Sequence, residues 1–227
     1  MNLLTVGISS YHIKHHIPND IIQENQFIPP ENLESQRHLN EINTWTKNQL
    51  MKINETKTKT MVFNFTQKYQ FSTRLKLNNT NIETVTETKL LGTILTNDLT
   101  WERNTEELVK RAHARMEMLR KLSSFGAPHN DMKQVYISFI RSLLEQSCNV
   151  WSSSLTVECQ KDIERVQKIA LKLILKDQYK SYEDALKLLD LKTLKERRSF
   201  LSLKFAKKCL KNPKMKICFH LVRTSMK

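Results

Sequence analysis

TKLLGTILTNDLTW, running from Thr88 to Trp101, joins two kinds of sequence. Lys89 to Leu95 is a β-type run, Asn97 and Asp98 signal a turn, and Trp101 opens a long basic helix. Before this stretch the pattern is short strands and loops; after it, helical periodicity takes over. The expectation is an α+β chain in which helix dominates. Residues 1–101 would hold a small antiparallel sheet with one helix against it, and residues 102–227 an α-helical bundle.

Charge changes at the same seam. Residues 1–101 hold ten Lys/Arg against nine Asp/Glu, and residues 102–227 hold 27 against 14. Of the formal net charge of +14, therefore, +13 lies in the second half. A surplus confined to one half fits a polyanionic partner better than general solubility does. With 39% hydrophobic residues, three Gly and five Pro, the chain can bury a core and has few breakers.

Cys148, Cys159, Cys209 and Cys218 form no C-x-x-C pair and suit a reducing compartment. No run approaches the roughly 20 apolar residues of a membrane span, and Leu3 to Val6 is too short for a signal peptide. An intracellular protein, nuclear or cytoplasmic, is expected, with no membrane partner.

Residues 1–10 read as a short strand entered in mid-fold, and residues 11–30 as a loop. His12, His15 and His16 have no carboxylate or Cys at ligand spacing and read as solvated. A helix from Pro30 to about Gln49 would bury Leu39, Ile42 and Trp45. Met61–Phe65, Leu75–Leu77, Ile82–Thr86 and Lys89–Leu95 would be the strands, with Asn78 and Asn79 in a hairpin turn. The first bundle helix, Trp101 to about Leu122, carries Leu108, Ala112, Met116 and Leu119 on one stripe, with Arg111, Arg115 and Arg120 off it. Asn130 can cap a second helix through Val135, Phe139, Ile140, Leu143 and Leu144.

Thr156 can cap a third helix, buried through Ile163, Val166, Ile169, Ala170 and Leu173. On its other face Lys161, Arg165, Lys168 and Lys172 recur at four, three and four, a row about 16 Å long at a rise of ~1.5 Å per residue. Ser181 with Asp184 and Thr193 with Glu196 match helix-start signatures. The last helix would turn Leu194, Leu201, Phe205 and Cys209 inward and Arg197, Arg198 and its lysines outward.

No G-x-S-x-G, Walker loop or H-E-x-x-H is present, and three glycines leave no glycine-rich phosphate cradle. His129 and Asp131 with distant His220 spell the ligands of an iron/2-oxoglutarate oxygenase, a remote alternative, but Asp131 fits a helix-start charge better. A second alternative is a helical protein-interaction module whose basic faces dock acidic proteins.

Against these residues the chain resembles, over essentially its whole length, the reverse transcriptase of non-LTR, LINE/jockey-like retrotransposons. The motifs are Trp45 with Leu50, Asn54-x-x-Lys57-Thr58, Lys89-Leu90-Leu91-Gly92, and Asp98-Leu99-Thr100-Trp101 with Asn104. They continue through Arg115-Met116, Leu119-Arg120, Ile140-Arg141-Ser142 with Leu144-Glu145, Trp151, Ile163 to Lys168, and Ala185-Leu186. The resemblance implies that residues 1–101 correspond to the end of the palm. Lys57 would follow the catalytic strand, and Leu91 and Gly92 would match the primer grip. Residues 102–227 would be the thumb and following region, gripping an RNA/DNA template-primer duplex through the arginines and lysines named above.

Asn2 and Leu3 stand where the family carries its catalytic aspartate pair. The intact family enzyme uses Mg²⁺, which needs carboxylates that neither side chain supplies. The expectation is a truncated reverse-transcriptase portion, inactive alone as a polymerase and without a cofactor, whose partners are the nucleic acid and the missing polymerase half.

Overall fold

The structure is a computed structural model that describes residues 30–63, 74–213 and 215. The expectations for Asn2, Leu3, the histidines of residues 11–20, Phe65, Cys218 and His220 lie outside these residues. The fold is α+β with helix dominant, and its sheets are small. The chain divides into two compact units, one reaching to Leu90 with Thr96–Leu99, the other comprising Leu91–Leu95 and everything from Thr100.

In the first unit, helix α1 (Pro30–Asn48) is followed by a 3-10 turn (Glu55–Lys57) and strands β1 (Lys59–Thr60), β2 (Lys76–Leu77), β3 (Thr80–Asn81) and β4 (Glu83–Thr84). β2 and β3 form an antiparallel hairpin through Asn78 and Asn79, whose φ of 48° and 68° are the left-handed values this turn requires. The single antiparallel sheet expected from the sequence is not what forms. β1 pairs with β4 in parallel, and each sheet has two strands. Gln36 bridges α1 to β2, its amide meeting both the N–H and the C=O of Lys76 at 2.8 Å.

Leu39, Leu77 and Ile82 make this unit's core. Trp45 does not join them. It is 53% exposed, and Thr46 takes the buried position one residue on, because a 3.6-residue turn places position 46 nearer the Leu39–Ile42 line than position 45.

Strands β5 (Glu87–Leu90) and β6 (Thr93–Thr96) are the arms of the hairpin whose tip is Leu91-Gly92. Helix α2 (Glu102–Ser124) follows, with Leu108, Ala112, Met116 and Leu119 buried as their spacing predicts. Phe125 closes it, and Gly126 (φ 73°) and Pro128 turn the chain.

Helix α3 (His129–Val135) runs into a π-helical segment, Tyr136–Arg141, and then α4 (Ser142–Leu144). Asn130 does not cap it: Pro128 holds that position, without a side-chain cap bond. The π segment widens the turn and changes the buried set to Met132, Tyr136, Ile140, Leu143 and Leu144, leaving Phe139 exposed.

α5 (Cys148–Trp151) leads to α6 (Val157–Leu175), α7 (Tyr182–Leu188) and α8 (Leu194–Lys211). Thr156, Ser181 and Thr193 cap the last three, Thr193 in a reciprocal capping box with Glu196. α2, α6 and the segment from α3 to α4 supply most of one continuous core, which Trp151 and Leu194 complete. Phe205 lies on the α8 stripe yet is half-exposed. Cys148, Cys159 and Cys209 are free thiols in the interior. No helix among the described residues is long and apolar enough to cross a membrane.

Candidate nucleic-acid interface

Helix α6 sorts its residues by chemistry. Cys159, Ile163, Val166, Ala170, Leu171 and Ile174 are buried, and Lys161, Arg165, Lys168 and Lys172 are all exposed. The first two cations each meet an acid one turn back. Lys161 Nζ lies 3.3 Å from Glu158, and Arg165 Nη1 lies 2.9 Å from Asp162. Exposed pairs of this kind contribute at most about 1 kcal/mol, so either cation can exchange its partner for a phosphate. The last two lie over aromatic faces, Lys168 at 5.0 Å from the Tyr182 ring centre and Lys172 at 5.3 Å from Tyr179. Those contacts orient the ammonium groups, and neither ammonium pairs with an acid among the described residues.

The α2 cations divide. Arg120 is exposed and pairs with Glu117. Arg115 is turned toward the π segment, over the Phe139 ring at 4.6 Å and donating to the Phe139 carbonyl. Arg111 is half-buried, and its Nη1 is buried without a hydrogen bond among the described residues.

On α8 the outward placement of both arginines is corrected. Arg197 is largely withdrawn into a bidentate pair with Glu145, at 2.7 and 2.9 Å. Arg198 is interior, 2% exposed and 5.9 Å from the Trp151 ring centre, and its Nε and Nη1 lack hydrogen bonds among the described residues. Burial lowers its basicity, while the Glu164 charge acts in the opposite direction. Leu194 and Arg198 are four apart, so both fall on the inward stripe.

Lys57 belongs to the first unit and is exposed at the end of the 3-10 turn. Asn54 accounts locally for the motif around it: its Oδ1 accepts from Lys57 N–H at 3.0 Å and from Thr56 Oγ1 at 2.8 Å. Leu91 (83% exposed) and Gly92 adopt φ of 49° and 86° at the hairpin tip. Gln146 donates to the Leu91 carbonyl at 3.2 Å, and a Cβ at Gly92 would fall 2.5 Å from its Nε2.

Sequence reasoning missed a buried polar chain that sets how α6, α7 and α8 meet. Tyr136 donates to Gln167 Oε1, Gln167 Nε2 donates to Tyr182 Oη (2.8 Å) and the Lys192 carbonyl (3.0 Å), and Tyr182 donates to Glu164. Glu164 also accepts the Leu194 N–H at 3.1 Å. Gln167, polar on an otherwise apolar stripe, was the available signal. Among the described residues no group of three or more His, Cys, Asp or Glu can hold a metal ion. Compared with protein-family models, curated proteins and solved structures, the chain matches none of them.

Proposed function

We propose that the helical unit binds the phosphate backbone of an RNA/DNA duplex along α6, without sequence preference, and that the chain performs no phosphoryl transfer of its own. The observation that carries this reading is the solvent-facing row of Lys161, Arg165, Lys168 and Lys172 on a helix whose opposite face is committed to the core. Arg120 adds to the cationic surface; Arg198, being interior, does not. The resemblance to the thumb of non-LTR reverse transcriptases supports the same ligand. Asn2 and Leu3 at the expected aspartate positions support the absence of Mg²⁺-dependent chemistry.

Fluorescence anisotropy with a labelled RNA/DNA hybrid tests it. Replacing the four α6 cations by Gln should lower the slope of log affinity against log salt by roughly 1 per contact removed. An unchanged slope, or no binding at low salt, refutes the reading. Primer extension above background by the purified chain refutes its second part. Exposed Phe200, Leu203 and Leu210 on α8 favour a second reading, a protein-interaction module. Capture of a partner protein that persists at high salt would support it.

A further inference from the structure

A recess of about 260 Å³ opens among Arg141, Asp190, Leu191, Lys192, Arg197 and Phe200. Three of these six side chains are cationic, and the two acids nearby, Glu145 and Asp190, leave one positive charge over. Glu145 is occupied by both hydrogen bonds from Arg197 and stands 3.7 Å from Arg141 Nε. The Arg141 side chain makes no hydrogen bond among the described residues, although it is only 13% exposed. Burial and then the Arg197 charge make its guanidinium less basic than usual, a penalty an anion would relieve. Lys192 has no acidic partner among the described residues.

Asp190 opposes an anion by charge, and it has a backbone reason to be there. Its φ is 48°, its N–H meets the Lys187 carbonyl, and Leu191 N–H closes onto Leu186 O at 2.8 Å, ending α7. That closure, the Gln167 bond to the Lys192 carbonyl and the Thr193 capping box fix the loop carrying Lys192 from both sides. Arg141 ends the π-helical segment, a distortion that recurs at functional sites. The recess is smaller than the 300–1,000 Å³ or so of pockets that enclose whole drug-sized molecules. Phe200, 56% exposed on its rim, offers an aromatic face.

We infer that this recess binds a phosphate monoester carried by a nucleotide, Arg141 and Lys192 donating to its oxygens while Phe200 stacks on the attached base. Its source is either a strand terminus or a free nucleotide. The inference does not rest on the α6 row, which follows internal phosphodiesters.

The test compares anisotropy of short labelled strands ending in phosphate or in hydroxyl, at both the 5′ and 3′ ends, with AMP, inorganic phosphate and a poly-glutamate peptide as competitors. The phosphorylated strand should bind about tenfold tighter, the scale of one charge-assisted contact. K192Q, at an exposed position that leaves the core intact, and R141Q should each bring the ratio toward one, and F200A should weaken the phosphorylated strand and, where AMP displaces it, abolish the advantage of AMP over inorganic phosphate. Displacement by AMP identifies a free nucleotide as the source; resistance to AMP identifies the strand end. Equal binding of the two strands, a ratio untouched by K192Q, or equal competition by the acidic peptide overturns the inference. Removing the α6 cations should weaken both strands together and keep their ratio, so the two sites fail separately.

Discussion

Arg197 holds Glu145 with two hydrogen bonds, Nε to Oε1 at 2.7 Å and Nη2 to Oε2 at 2.9 Å, joining the first turns of α8 to the end of α4. Both side chains are largely shielded from water, so this pair counts for more than the surface pairs of α6. The Glu145 hydrogen bond is the main reason the Arg197 guanidinium is more basic than usual. R197A should lower unfolding free energy by about 2 kcal/mol in urea denaturation, because Glu145 then keeps only the distant Arg141. R197K should recover part of the loss, since an ammonium cannot form the two-pronged contact.

G92A puts a methyl group 2.5 Å from Gln146 Nε2 and forces a non-glycine residue to φ 86°. A destabilisation of about 1–2 kcal/mol is expected in thermal melts from the backbone alone. Gln146 can swing aside, losing its bond to Leu91. Adding Q146A to G92A should therefore not recover the backbone part.

T193A removes a reciprocal capping box, whereas T156A removes a single cap bond. Each should lower stability by about 1 kcal/mol, T193A by the larger amount. Equal melting temperatures for T193A and the parent chain would contradict the helix start assigned at Leu194.

Tyr136 and Tyr182 hold their protons more tightly than free tyrosine. Burial is the chief cause for both, and the hydrogen bond to Glu164 adds to it for Tyr182. The unfolded chain ionises these phenols near pH 10, while the folded chain keeps them neutral to higher pH. Unfolding then releases protons, so the stability they contribute is complete below about pH 10 and is lost as pH rises beyond it. Y182F should flatten the alkaline limb of a stability-versus-pH curve measured in urea.

Much of the helical unit is legible in the chain because its signals are local and repeated. Leu108, Ala112, Met116 and Leu119 keep one helical period, and Thr156, Ser181 and Thr193 each precede the run they cap. The row on α6 is legible for the same reason. Arg198 shows where charge and period compete: its spacing from Leu194 placed it inward, while its charge suggested water. The parallel pairing of β1 with β4 has no sequence signature, since strands of two residues carry no alternation. The recess around Arg141 needs three separate segments, and only the folded chain brings them together.

Cys148, Cys159 and Cys209 are buried, and burial also makes the Cys148 thiol harder to ionise than a free one. Alkylating reagents therefore meet these sulfurs only when the surrounding helices part. Their labelling rates, followed one cysteine at a time by mass spectrometry, would time the opening of α5, α6 and α8 separately and reveal which of the three lets go first.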